Sequence, residues 1–92
     1  MKILVIKALT ELQKEYNLEK SVMDLFQILT PEELAKLEEV SVEDSMETWG
    51  AYRFAVLYND FPDYLFFELE DYTLAEIKLK LKTWMKWCNI IK

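Results

Sequence analysis

Apolar residues at Val5, Leu9, Leu12 and Tyr16 recur at spacings of 4, 3 and 4, which places them on one face of an amphipathic helix. Ile6 flanks that stripe. Asn17 is a plausible end for the helix, because asparagine tolerates the left-handed backbone that closes one. A second helix is predicted with Ser21 as N-cap, Asp24 three residues later, and Val22, Leu25, Phe26 and Leu29 as its apolar positions. Thr30-Pro31-Glu32-Glu33 is the clearest local signal. Thr30 can accept from the backbone N–H of Glu33, Glu33 can reach back, and Pro31 stands where a missing N–H costs nothing. It predicts a third helix over residues 31 to about 40 that buries Leu34 and Leu37. Ser41 with Asp44 can start another helical turn, with Val42, Met46 and Trp49 on one side.

The pattern changes over residues 51–70. Residues 51–58 and 64–70 are rich in aromatic and β-branched side chains, and Asn59-Asp60-Phe61-Pro62-Asp63 between them is dense in turn formers. A β-hairpin follows. Pairing Tyr58 with Tyr64 sets Leu57 opposite Leu65, Val56 opposite Phe66, Ala55 opposite Phe67 and Arg53 opposite Leu69. One face then carries Leu57, Leu65, Ala55, Phe67 and Leu69. The competing reading is helical: Met46, Trp49, Arg53 and Val56 follow a helix period, and Asp60 can cap a short helix from Pro62. The chain ends on a long helix. Thr73-Leu74-Ala75-Glu76 repeats the capping signal, and Leu74, Ile77, Leu81, Trp84, Cys88 and Ile91 follow at spacings of 3, 4, 3, 4 and 3. Lys78, Lys82 and Lys86 line one side of that helix. At ~100° per residue, Leu79, Trp87 and Ile90 fall outside the main stripe and form a second apolar arc. The predicted fold is α+β: three short N-terminal helices, a hairpin at about 51–70 and a long C-terminal helix. An all-α small bundle is the alternative.

Ninety-two residues make one domain, 1–92. A hydrophobic fraction of 52% is too high for a disordered chain despite a net charge of −6. No apolar run approaches the ~18 residues of a membrane span. Lys7 cuts short the apolar stretch near the start, so it reads as helix and not as a signal peptide. The single cysteine, Cys88, allows no internal disulfide, which favours a reducing, cytoplasmic setting. Lysine outnumbers arginine ten to one, a bias of AT-rich coding that points to a low-GC bacterium or its phage.

Catalytic chemistry finds little to work with. The chain has no histidine, which removes the commonest general base and every His-containing triad. Its one glycine, Gly50, cannot build a phosphate-binding loop. One cysteine cannot hold zinc, and Asn59, Asp60 and Asp63 lack the spacing of a calcium loop. Carboxylate pairs such as Glu32/Glu33 and Glu38/Glu39 read as helix caps and solvated surface. The expectation is no enzyme, no cofactor and no metal.

Charge is the informative feature. Residues 1–30 balance to zero, residues 31–71 carry twelve acids against Lys36 and Arg53, and residues 72–92 carry five lysines against Glu76. The order of helices and hairpin resembles a winged helix. Its third helix would then read DNA, yet that helix carries four glutamates and one lysine and would be repelled by phosphates. The expected function is therefore a small acidic protein-interaction module: an inhibitor, regulator or adaptor that occupies a basic, for instance nucleic-acid-processing, partner. Glu38, Glu39, Glu43, Asp44 and Glu47 are the candidate residues for that contact. Leu79, Trp87 and Ile90 are candidates for a partner or a homodimer. The alternatives are a DNA-binding regulator using the lysine-bearing last helix, and a homo-oligomeric assembly protein.

Overall fold

The computed structural model describes residues 2–49, 53–59, 64–68 and 71–92. The first stripe becomes α1 (Lys2–Tyr16), followed by a single turn, α2 (Lys20–Met23). The chain then extends as β1 (Phe26–Leu29) before α3 (Pro31–Leu37) and α4 (Val42–Trp49). Strands β2 (Arg53–Tyr58) and β3 (Tyr64–Glu68) form the hairpin, and α5 (Leu74–Trp87) closes the fold. The α+β expectation holds, with five helices and a three-stranded antiparallel sheet of order β1-β2-β3 among the described residues.

The second helix is where the expectation fails. Glu19, not Ser21, precedes the single turn of α2, and Phe26–Leu29 pairs with β2 through Phe26↔Tyr58 and Leu29↔Ala55. Four apolar positions at helical spacing were compatible with a strand as well, and the ladder with β2 decides between them. The third helix ends at Leu37, not near residue 40. The hairpin is present in a register shifted by one residue: Leu57 faces Tyr64, Ala55 faces Phe66 and Arg53 faces Glu68. A shift of one exchanges the faces. Phe54, Val56 and Tyr58 now share a face with Leu65 and Phe67, whereas Ala55 and Leu57 look the other way. Residues 60–63 and Leu69, with the side chains of Met46 and Trp49, lie outside the described residues.

Helices α1 and α5 cover the face that carries Phe54, Val56, Tyr58 and Phe67. Val5, Leu9 and Leu12 from α1 and Ile77, Leu81, Trp84 and Met85 from α5 are buried against it in one core. Trp84 ties the layers together, its ring 5.3 Å from Tyr58 and 5.7 Å from Phe26, in the edge-on geometry aromatic pairs favour. Helix α3 packs on the opposite face through Leu34 and Ala35, and α4 packs on α3. The order of layers is thus α1 and α5, sheet, α3 and α4.

Local chemistry fixes the helix ends. Both capping boxes form: Glu33 N–H donates to Thr30 Oγ1 at 3.3 Å and Glu76 N–H to Thr73 Oγ1 at 3.2 Å, with each glutamate accepting in return. Asp44 N–H donates to Ser41 Oγ at 3.0 Å, which starts α4. Among the described residues, three helices stop on a left-handed residue, Asn17, Glu39 and Asn89, with φ of 51°, 58° and 61°. The N–H that follows each one reaches back five residues, as from Val40 to the Ala35 carbonyl at 3.0 Å. Asparagine suits this position and glutamate does not. Glu39→Gly should therefore raise stability by ~0.5 kcal/mol, because relief of the left-handed strain outweighs glycine's entropy loss. In a thermal melt that is a rise of ~2–4 °C. A fall in midpoint would show that Glu39 bears no strain.

Candidate interaction surfaces

The predicted acidic residues gather in the α3–α4 layer. Glu38 is the C-cap of α3, Glu39 follows it, Glu43 and Asp44 stand in the first turn of α4, and Glu47 lies further along that helix. Negative charge in a first turn suits the helix dipole. Glu39, Glu43, Asp44 and Glu47 are exposed, and Glu38 is not free in the same way. Its carboxylate accepts from Arg53 Nη2 through both oxygens, at 2.7 and 2.8 Å. Arg53 itself is 1% exposed, and its guanidinium lies 4.4 Å over the Phe66 ring. Burial lowers the guanidinium pKa, and the hydrogen bond and charge of Glu38 oppose that.

This layer also has an apolar floor that sequence reasoning missed. Leu37, expected in the core, is 50% exposed. It stands where two adjoining grooves of about 500 and 520 Å³ meet, both lined by Leu37 and Leu57. Leu29 extends the floor on one side and Tyr64 on the other. Glu33, Glu38 and Glu39 stand around it, with Lys36 as the cation at its edge. Leu37 is left outside because, at ~100° per residue, it falls about 110° round α3 from the middle of the buried Leu34–Ala35 face. A cue was available in the sequence, because Leu37 is followed at once by two glutamates.

The second candidate surface lies across the sheet, on α5. Leu79 is 64% exposed and Trp87 72% exposed. Ile90 does not join them. The helix ends at Trp87, Asn89 turns the chain, and Ile90 packs partly buried on the core. That is the apolar contact that accompanies this kind of helix end. A groove of about 560 Å³ runs beside Leu79 and Trp87, floored by Leu65, Tyr72 and Trp84. The two sets of candidates, acids and apolar arc, therefore occupy opposite layers.

The lysine row is partly committed to the chain itself. Lys78 bonds Glu15 and lies 3.9 Å from Glu11, and the Glu15 bond raises its pKa. Lys82 sits 5.5 Å over the Tyr16 ring, and its hydrogen bond to Tyr16 raises its pKa. Lys80 donates to the Phe66 carbonyl at 3.3 Å and lies over Phe67 and Tyr72. A lysine on the backbone of an edge strand discourages indiscriminate strand pairing. Lys86 is exposed.

Among the described residues no group of three or more His, Cys, Asp or Glu side chains converges as a metal site would require. Cys88 is half-buried at the end of α5. None of the described helices is long and apolar enough to cross a membrane. No family model, curated protein or solved structure matches this chain.

Proposed function

We propose that the chain is an acidic protein-interaction module, an inhibitor, regulator or adaptor that acts by occupying a basic surface of a partner protein with its α3–α4 layer. The observation that carries this reading is Leu37, half-exposed at the junction of two apolar grooves and surrounded by carboxylates. Acids alone keep a small protein soluble. Acids around an apolar floor supply the two parts of a binding surface: buried apolar contact gives affinity, and complementary charge speeds encounter and selects the partner. A partner that fits would present a hydrophobic side chain among lysines or arginines. The DNA-binding alternative draws less support, because Lys78, Lys80 and Lys82 already engage Glu15, the Phe66 carbonyl and Tyr16.

The test uses affinity capture from the source cell, followed by association rates with the purified partner. Reversing Glu39, Glu43 and Glu47 to lysine should slow association roughly tenfold or more at low salt and flatten its salt dependence. Leu37→Arg should raise the dissociation rate. All four side chains are exposed or half-exposed, so no core contact is lost and melting temperatures should fall by only a few degrees, chiefly from reversing Glu43 in the first turn of α4. An association rate indifferent to salt, to the reversals and to Leu37→Arg would remove this layer from the function.

A further inference from the structure

We infer that the acidic groove at Leu37 also accepts a second copy of this chain, through the Leu79–Trp87 arc of that copy's helix α5. The inference rests on the reading of the α3–α4 layer as a binding face and names an occupant for it.

Among the described residues the uncovered apolar surfaces include Ile3 and Ile6 on α1, the groove at Leu37 and the arc on α5, and the last two differ in charge. Residues 31–49, which include α3 and α4, carry seven acids against Lys36, a balance of −6. The arc on α5 lies in a segment, residues 72–92, with five lysines against Glu76, a balance of +4. On the helix, Lys80 and Lys86 fall to either side of Leu79, Thr83 and Trp87 at ~100° per residue. Both surfaces have a groove beside them, about 500 and 520 Å³ at Leu37 and about 560 Å³ alongside Leu79 and Trp87, and Leu79 and Trp87 stand exposed at the edge of theirs.

Like-on-like contact is disfavoured for the groove, because joining two grooves would bring glutamates against glutamates. The arc is less one-sided, since Glu76 stands among its residues between Lys80 and Lys86. Joining an arc to a groove places Trp87 and Leu79 on Leu37 and Leu57, with Lys86, exposed beside the arc, facing carboxylates. The surfaces lie in opposite layers of the domain, so one molecule cannot make this contact with itself. The contact is head-to-tail, and each copy that uses its arc still offers its groove. Such an interface closes into a ring or continues as a chain. A basic partner that takes the groove would then displace the neighbouring copy.

Sedimentation velocity on the purified chain tests this, with circular dichroism to verify that each variant is folded. The wild-type chain should show concentration-dependent species larger than a dimer at low salt, shifting to smaller ones at high salt. Trp87→Glu alone, and Leu37→Arg alone, should each weaken association about thirtyfold or more, the effect of losing a contact worth ~2 kcal/mol. An equimolar mixture of the two variants should form a 1:1 dimer and nothing larger, because it contains one intact arc and one intact groove. If either variant unfolds, Leu79→Glu and Glu39→Lys replace the pair. A mixture that forms no dimer overturns the head-to-tail contact, as does loss of association in Trp87→Glu alone with Leu37→Arg unaffected. A wild-type chain that stays monomeric at every salt and concentration also overturns it. Partner capture that still depends on Leu37 would in that case leave the proposed function standing.

Discussion

Leu81→Ala should destabilise the domain by ~2–5 kcal/mol, a large share of the ~5–14 kcal/mol expected for a chain of this length. Leu81 is fully buried, at the centre of α5, in the core shared with α1 and the Phe54–Val56–Tyr58 face of the sheet. Truncation removes apolar contact on three elements at once, and close packing leaves a cavity that the neighbours fill only in part. Leu79→Ala is the matched control two residues away. Its side chain is 64% exposed, and the substitution should cost under ~0.5 kcal/mol. Urea denaturation would register the first as a lower midpoint at an unchanged slope. Equal midpoints for the two variants would mean that the stripe on α5 is misplaced.

That stripe was legible because α1 and α5 each bury one face and leave the other in water. A 3.6-residue period is then written directly into the sequence, and Val5, Leu9, Leu12, Ile77, Leu81 and Trp84 all stand where the period puts them. The caps were legible because they are local: Thr30 with Glu33, Thr73 with Glu76 and Ser41 with Asp44 need nothing outside four residues. Strand β1 was not legible, for the opposite reason. It is four residues long, and its partners on β2 lie about thirty positions away, as in Gln27↔Leu57. No periodicity within residues 22–29 separates it from a helix. The register of the hairpin was lost because β2 is the central strand. Arg53, Phe54, Ala55, Val56 and Tyr58 are all buried, so alternation says nothing about which face meets α1 and α5. The bulkier set, Phe54, Val56 and Tyr58, fills the larger core, and Arg53 turns to Glu38.

The candidate surfaces were legible in part by the same logic. Charge segregation along the chain located the acids, because α3 and α4 are consecutive and share a layer. The apolar floor beneath them was not visible, since Leu29, Leu37, Leu57 and Tyr64 come from four separate elements. On α5, the helical wheel placed Leu79 and Trp87 correctly outside the core. It misplaced Ile90, which lies beyond the end of the helix, where the wheel no longer applies.

Glu38→Ala should cost about 3 kcal/mol, and Arg53→Met about 1 kcal/mol or less. The asymmetry follows from burial. Arg53 is 1% exposed and meets the two oxygens of Glu38 at 2.7 and 2.8 Å, whereas the Glu38 side chain keeps 18% of its surface in water. Removing the carboxylate takes from a permanently charged, buried guanidinium the two hydrogen bonds and the charge that Glu38 supplies. Removing the guanidinium leaves a carboxylate that can rehydrate, and methionine can fill the space over Phe66. The double variant should then recover most of the Glu38→Ala loss, since what that substitution costs is chiefly the guanidinium's lost pairing with Glu38. Urea midpoints of the two single variants and the double variant give the coupling directly. Additive losses would mean that Glu38 acts independently of Arg53. The pairing also divides the acidic candidates by role. Glu38 holds the sheet to the end of α3 and is costly to alter, whereas Glu39, Glu43 and Glu47 can be reversed without disturbing a core. A binding defect from those three reversals therefore reports on the surface, whereas one from Glu38 would be confounded with unfolding.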